Sequence, residues 1–175
     1  MKVSVLRLGH RIVRDDRVTT HAALVSRAFG CDKIYMNEVD NSIKETIEEI
    51  TKRWGGRSTF TVEIMEDWKK IISNWKKDNG TVIHLTMYGI NIDDAIHELL
   101  NNDKILVIIG SEKVPRELYN LSDHNIAIGN QPHSEIAALA IFLDRVFNGK
   151  QLKREFTDAK LKIIPMPKGK KIEEF

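Results

Sequence analysis

Two loops of this chain place glycine and polar side chains directly after apolar, strand-like runs. The first loop follows residues 105–109 and begins at Gly110; the second follows residues 125–128 and runs from Gly129 to Glu135. Glycine lets a backbone approach a ligand closely, and free amides at the start of a helix can donate hydrogen bonds. Because ligands of open parallel sheets bind at the carboxyl ends of the strands, these loops predict one ligand site of an α/β enzyme.

A second candidate lies between the first apolar run, residues 3–8, and the helix predicted after it. This basic loop contains His10, Arg11, Arg14 and Arg17, opposed only by Asp15 and Asp16. Guanidinium groups match the geometry of phosphates, so the loop indicates a polyanionic partner. Basic residues also collect after Gly149, although the net charge of the whole chain is only +2.

Strand-like and helix-like segments alternate along the chain. The predicted strands are residues 3–8, 33–36, 59–64, 81–86, 105–109, 125–128 and 160–164, and the main predicted helices are 20–29, 42–54, 67–77, 92–100 and 136–147. Thr19 or Thr20 is expected to cap the first helix, Ser42 and Glu45 to form a capping box, and residues 87–91 to form a turn. Alternation of this kind predicts a mostly parallel sheet with helices on both faces.

Length and composition favour one domain, residues 1–175, with a short C-terminal extension at about 150–175. The chain is 42% hydrophobic and 30% charged, and no apolar run approaches the roughly 20 residues of a membrane span. We therefore expect a cytoplasmic protein without a membrane contact. Cys31 is the only cysteine, which excludes an internal disulfide and favours a small buried residue.

Several common chemistries lack their motifs here. No glycine-rich dinucleotide fingerprint, no Walker-type loop and no serine-hydrolase elbow is present. His97 and Glu98 begin like a zinc-protease motif, but the second histidine is missing. Neighbouring aspartates such as Asp93 and Asp94 point apart on most backbones, so we predict no metal site.

Six short motifs carry a resemblance to one family. They are residues 7–11 (RLGHR), 14–21 (RDDRVTTH), 27–30 (RAFG), 84–89 (HLTMYG), 112–116 (EKVPR) and 129–135 (GNQPHSE). Together, and in this order, they resemble the archaeal tRNA 2′-O-methyltransferases that modify cytidine 56 of the T-loop, members of the SPOUT superfamily. The resemblance implies a Rossmann-like sheet with a deep C-terminal trefoil knot, a homodimer, and methyl transfer from S-adenosylmethionine to a ribose 2′-hydroxyl of tRNA.

The resemblance also implies which residues hold the cofactor. They follow three strands, in residues 84–86, 110–114 and 127–135: Leu85, Gly110, Ser111, Glu112, Lys113, Val114, Ile128, Gly129, Asn130, Gln131, Pro132, His133, Ser134 and Glu135. Leu85 is expected to contact the adenosine, and Glu112 or Glu135 the ribose hydroxyls. An acid at Glu135 also suits the first turn of a helix, and His133 suits a packing role better than a catalytic one.

Relatives that methylate 2′-hydroxyls use an arginine after the first strand, which implies a catalytic group among Arg7, Arg11, Arg14 and Arg17. The asparagine of the superfamily motif is missing, because no asparagine occurs between Val3 and Gly30. A guanidinium is a poor base, so we expect Arg17 to stabilise the developing alkoxide and Arg11 and Arg14 to hold phosphates. His21 or His10 suits proton transfer at neutral pH.

Two other functions fit parts of the pattern. A non-catalytic RNA-binding α/β module would use the same basic ends but would not need two glycine loops at neighbouring strands. A phosphate-handling enzyme would use Arg11, Arg14 and Arg17 as an anion clamp and would not bind S-adenosylmethionine.

Overall fold

The computed structural model describes residues 1–11, 14–110 and 114–175. Its strands are β1 Lys2–Leu8, β2 Lys33–Asn37, β3 Thr61–Met65, β4 Thr81–Asn91, β5 Lys104–Gly110, β6 His124–Ala127, β7 Leu161–Ile164 and β8 Lys171–Glu174. Its helices are α1 Asp16–Ala28, α2 Asn41–Trp54, α3 Trp68–Lys77, α4 Ile92–Leu99, α5 Glu117–Leu121 and α6 Glu135–Phe147, followed by a 3₁₀ turn at Lys150–Lys153.

Six strands form one parallel sheet in the order β3-β2-β1-β5-β4-β6. The central strands β1 and β5 pair along their whole length, and both are almost entirely buried. Helices cover both faces: α1, α2, α4 and α6 pack on one core, and α3 and α5 pack on the other. The predicted α/β fold class with a mostly parallel sheet is confirmed. In the described part of the chain, no helix is both long and apolar enough to cross a bilayer.

The first two helices begin earlier than predicted. Helix α1 starts at Asp16, and Thr19 lies inside it, with its amide bonded to the carbonyl of Asp15. The predicted threonine cap is therefore wrong. Helix α2 is capped by Asp40, whose carboxylate accepts a hydrogen bond from the Ser42 amide, so the predicted capping box is also wrong. At α2 the carboxylate of Asp40, two residues before Ser42, takes the capping position, whereas Asp15, the N-cap residue of α1, makes no side-chain cap hydrogen bond.

The predicted turn at residues 87–91 is wrong, because β4 continues through these residues to Asn91. Its register against β6 shifts between Leu85 and Ile90. A Cβ atom at Gly89 would lie 2.3 Å from the backbone oxygen of Asn125, so only glycine allows this close approach.

A strand that the pattern did not predict closes the chain. β8 pairs with β7 in an antiparallel hairpin, separate from the main sheet. β8 has only four residues, Lys171–Glu174, and three of them are charged, so its sequence does not indicate a strand on its own.

Candidate functional site

A cavity of about 1000 Å³ opens at the carboxyl edge of the sheet, where β4, β5 and β6 end. Most of the residues predicted to hold a cofactor line it: Leu85, Gly110, Val114, Ile128, Gly129, Gln131, Pro132, His133, Ser134 and Glu135. Ser111, Glu112 and Lys113 lie outside the described residues. The structure thus brings the two glycine loops together, as parallel strands require.

Asn130 belongs to the loop after β6 but does not line the cavity. Its side-chain amide donates to the carbonyls of Met87 and Gly89, at 2.9 and 3.0 Å. The loop is therefore fastened to the extension of β4. Gly129 has a φ of 70°, a left-handed backbone conformation that glycine adopts without steric cost and that other residues rarely adopt.

His133 and Ser134 shape the same loop. Nε2 of His133 lies 2.6 Å from the carbonyl oxygen of Ile128, and Nδ1 lies 3.1 Å from that of Ser134. Ser134 is the N-cap of α6, and its hydroxyl accepts a hydrogen bond from the Ile136 amide. Both side chains bind backbone groups of the loop and of the start of α6.

Glu135, in the first turn of α6, is held from below by Arg7 of β1. Arg7 is 1% exposed, and its Nη2 lies 2.9 Å from Oε1 of Glu135. The second carboxylate oxygen, Oε2, is buried and has no partner in the described part of the chain. Burial raises the pKa of Glu135, while the charge of Arg7 and its hydrogen bond lower it. A buried acceptor beside a cavity is suited to a ligand that brings a hydroxyl or ammonium donor.

The cavity is also lined by residues that were not predicted to hold the cofactor. Tyr119 of α5 and Val18 of α1 line the cavity together with Met87, Tyr88, Ile109, Arg116 and Ala138. His84 packs edge-on against Tyr119, with ring centroids 4.9 Å apart, and its Nδ1 lies 2.9 Å from Oδ1 of Asn125. Burial lowers the pKa of His84, which favours a neutral ring. Tyr119 was missed because a five-residue helix has no readable period.

Two side chains of the basic loop, Arg11 and His10, make contacts within the loop and with the start of α1. Arg11 binds Asp15 through its backbone amide, Nε and Nη2, at 2.9 to 3.3 Å. These hydrogen bonds lower the pKa of Asp15 to about 2. His10 is buried, with Nδ1 2.9 Å from the Thr19 hydroxyl and Nε2 3.1 Å from Asp16. Arg11 and His10 therefore serve the loop.

Arg14, Arg17 and His21 are exposed. Arg17 and His21 line a second, smaller cavity of about 310 Å³ between α1 and α2, together with Thr20, Ser42 and Thr46. None of the predicted catalytic residues that the structure describes lines the large cavity, although Val18, next to Arg17, does. Within one chain, the described residues predicted to be catalytic therefore lie next to the predicted cofactor site but do not line the same cavity.

Several solved structures with a similar fold are described as methyltransferases or as a tRNA modifying enzyme. The TrmH/SpoU tRNA modifying enzyme of A. aeolicus superposes with a TM-score of 0.62 at 13% identity, covering 87% of this chain and 76% of that one. The SpoU methyltransferase AviRb of Streptomyces viridochromogenes, solved in complex with the cofactor AdoMet, gives a TM-score of 0.58 at 13% identity, over 83% and 57%. At such identities the likeness defines the fold, that of the TrmH/SpoU methyltransferases.

Sequence similarity defines the family. Residues 54–173 match the family model described as tRNA ribose 2′-O-methyltransferase, aTrm56. A tRNA (cytidine(56)-2′-O)-methyltransferase of Thermococcus kodakarensis is 54% identical over 175 residues, covering 97% of this chain and 96% of that protein. One of Methanocaldococcus jannaschii is 53% identical over 173 residues, covering 97% and 95%. The chain belongs to the aTrm56 family of tRNA ribose 2′-O-methyltransferases, which confirms the resemblance.

Proposed function

We propose that this chain methylates the ribose 2′-hydroxyl of cytidine 56 in the T-loop of tRNA, with S-adenosylmethionine as the methyl donor. The observation that carries the proposal is identity above 50% along nearly the full length of relatives that bear this activity as their name. The alignments cover 97% of this chain, so they span both glycine loops and the basic loop.

The large cavity fits S-adenosylmethionine. Its volume, about 1000 Å³, is at the upper end of the usual range for small-molecule sites. Leu85 supplies an apolar wall for the adenine, and Gly129 leaves open space beside the backbone, since a Cβ there would meet nothing within 4 Å. Oε2 of Glu135 supplies a buried acceptor for a cofactor hydroxyl or ammonium group. We therefore propose the cofactor site at Leu85, Gly110, Val114 and the loop 128–135, with Ser111, Glu112 and Lys113 completing it.

The cofactor, when bound, supplies an activated methyl group on a sulfonium. The protein must then position a weak nucleophile and accept its proton. We propose that Arg17 stabilises the alkoxide developing at the 2′-oxygen, that Arg14 holds a neighbouring phosphate and that His21 accepts the proton. Arg11 supports them by ordering the loop through Asp15.

These groups lie beside the cavity of their own chain, and a homodimer offers a way to complete the site. Two apolar side chains that line the cavity are exposed, Tyr88 at 74% and Val18 at 38%, and Ile90, two residues after Tyr88 in β4, is 64% accessible. Exposed apolar surface next to a site is typical of an interface. We propose that two copies associate here and that the basic loop of one chain serves the cavity of the other.

Two further expectations belong to the proposal. The C-terminal part is proposed to form the trefoil knot of the superfamily, which is supported by the attachment of the loop after β6 to the β4 extension through Asn130. The chain is proposed to act as one domain in the cytoplasm, where tRNA is modified. An experimental structure with an unknotted backbone would contradict the first expectation.

The test uses an unmodified tRNA transcript and S-adenosylmethionine labelled in its methyl group. Label is expected at nucleotide 56 and at no other position, and a transcript with 2′-deoxycytidine at position 56 is expected to take up none. Label at another ribose would refute the assignment of the nucleotide. Binding of tRNA without any transfer would support the alternative, a non-catalytic RNA-binding module.

A further inference from the structure

The C-terminal hairpin consists of β7, β8 and the turn between them. The segment just before β7 attaches it to the rest of the protein by specific contacts. The carboxylate of Asp158 accepts hydrogen bonds from the backbone amides of Gly56, at 2.6 Å, and Ser58, at 3.0 Å. These bonds lower the pKa of Asp158, because they favour the charged carboxylate. On the other side of the same turn, Arg27 donates to the carbonyls of Trp54 and Gly55, both at 2.7 Å.

An aromatic ring fills the space between these charges. The guanidinium carbon of Arg27 lies 4.3 Å from the centroid of the Phe156 ring, and the guanidinium carbon of Arg154 lies 5.4 Å from the same centroid. A Cβ atom at Gly55 would lie 2.5 Å from Cβ of Phe156, so the chain is seated directly on the glycine backbone. The Lys160 amide then bonds to the carbonyl of Arg53, at 3.0 Å, where the hairpin begins. The hairpin is therefore fixed at its base.

This attachment lies at the opposite edge of the sheet from the cavity. Trp54, Gly55 and Gly56 precede β3 and mark the amino ends of the strands, while the cavity lies at the carboxyl ends. A seven-residue strand such as β1 spans about 20 Å at roughly 3.3 Å per residue. The hairpin is therefore attached far from the proposed cofactor site of the same chain, and the proposed chemistry does not require it there.

The charge of this region is the reverse of the rest of the protein. Residues 150–175 carry eight Lys or Arg against four Asp or Glu, a net charge of +4, whereas residues 1–149 carry −2. Lys162 and Lys171 have carboxylate partners in Glu155 and Glu173. Lys168 and Lys170, in the exposed turn of the hairpin, pair with no carboxylate of the described residues within 4.0 Å.

We propose that the C-terminal hairpin is a second RNA-binding surface, which contacts phosphates of the bound tRNA away from the methylated ribose. The proposal rests on the proposed function, since the RNA is the substrate of that reaction. Lysines that pair with no carboxylate of the described residues, in the exposed turn of an attached hairpin, suit phosphate contacts, because each contact releases counterions. Lysine is depleted in protein interfaces, which favours RNA over a second protein as the occupant of the turn.

One pair of variants isolates the lysines of the turn. K168Q/K170Q removes two positive charges from the hairpin, and K70Q/K77Q removes two from α3, where both lysines are also exposed. For K168Q/K170Q, we expect tRNA affinity to fall on the order of tenfold at 0.1 M salt, and the slope of log affinity against log salt to decrease by about 1 to 2. The KM for tRNA should rise while kcat at saturating tRNA and cofactor affinity stay unchanged. The control should keep the wild-type slope and KM.

Two outcomes overturn the proposal. In one, K168Q/K170Q matches the control in slope and KM while the wild type methylates the transcript at position 56; the function then stands and the hairpin plays no part in RNA binding. In the other, the lysine variant is unaffected but I163T/I172T, which changes the exposed cross-strand pair Ile163 and Ile172, alters the mass measured by light scattering. The hairpin is then a protein interface. Failure of the wild type to methylate would instead refute the proposed function.

Discussion

Arg7 and Glu135 form an ion pair, with Nη2 and Oε1 2.9 Å apart, across 128 positions of sequence. The pair joins the end of the first strand in the sheet to the first turn of the last helix, directly beneath the cavity. Arg7 also donates to the carbonyl of Gly9, at 3.0 Å, so the arginine contacts both the basic loop and the start of α6. A change at Arg7 should therefore affect both fold and site.

Replacing Arg7 by methionine should leave a buried carboxylate without its cation. Loss of one partner of a buried pair costs about 3–5 kcal/mol of folding free energy. Burial already raises the pKa of Glu135. A carboxyl group whose pKa is raised in the folded protein is costly to ionise there, so the free energy of unfolding falls as the pH rises towards and through that pKa. The loss in R7M should therefore be smaller at pH 4 than at pH 7, as measured by urea denaturation at both values. R7M/E135Q should recover much of the stability at pH 7; no recovery would mean that Arg7 acts through other contacts.

Gly129 and Gly149 allow a test of the cofactor loop with a matched control. Both have a left-handed backbone, with φ of 70° and 72°, and a Cβ at either would meet nothing within 4 Å. Valine at either position should cost about 1–2 kcal/mol, the price of a left-handed side-chain-bearing residue. Only G129V should lower the affinity for S-adenosylmethionine, measured by calorimetry, since only Gly129 lines the cavity. Equal affinities in the two variants would remove Gly129 from the site.

The Arg11–Asp15 contact predicts an acid-sensitive loop. The pKa of Asp15 is lowered to about 2 from 3.8, chiefly by the hydrogen bond from the Arg11 side chain. A lowered pKa stabilises the fold above pH 4, and this stabilisation is lost as pH falls from about 4 to about 2. D15N should be less stable than the wild type at pH 6, with a difference that shrinks towards pH 2. A constant difference over this range, in denaturation midpoints, would contradict the assignment.

The basic loop should separate into three effects. R17A should lower kcat with little change in the binding of cofactor or tRNA, because it removes charge stabilisation in the transition state. R14A should instead weaken tRNA binding and reduce its salt dependence. R11A should lower stability, since it leaves Asp15 without its partner. Single-turnover kinetics, tRNA binding at several salt concentrations and thermal unfolding distinguish them; wild-type rates and binding in R14A and R17A would make the loop a solvated surface.

What the sequence predicted well follows from local patterns. Strand and helix periods were clear wherever an element buries one side. The loops after Ile109 and Ile128 were predicted to lie together because parallel strands end at one edge of the sheet, and described residues of both loops line the large cavity. The Arg7–Glu135 pair could not be predicted, since its partners are distant and each has an ordinary local role. Strand β8 and the β4 extension depend on pairing with another strand, which their own residues do not indicate.

Gly89 provides the last prediction, because it joins the fold to the site. A Cβ at Gly89 would lie 2.3 Å from the carbonyl oxygen of Asn125, and one at Gly80 would lie 2.3 Å from the ring of Trp75. Both G89A and G80A should therefore unfold at lower temperature than the wild type. In G89A the neighbour is the backbone of β6, so the strands must separate and the cavity wall at Met87 and Tyr88 must shift.

In G80A the ring of Trp75 on α3 must move instead, on the other face of the sheet. We expect cofactor affinity to fall in G89A and to stay near the wild-type value in folded G80A, while tryptophan fluorescence changes in G80A. The measurements are calorimetry below the unfolding transition and emission spectra. Retention of full cofactor affinity in G89A would show that the β4 extension can move without disturbing the cavity, and would contradict its role as a wall of the site.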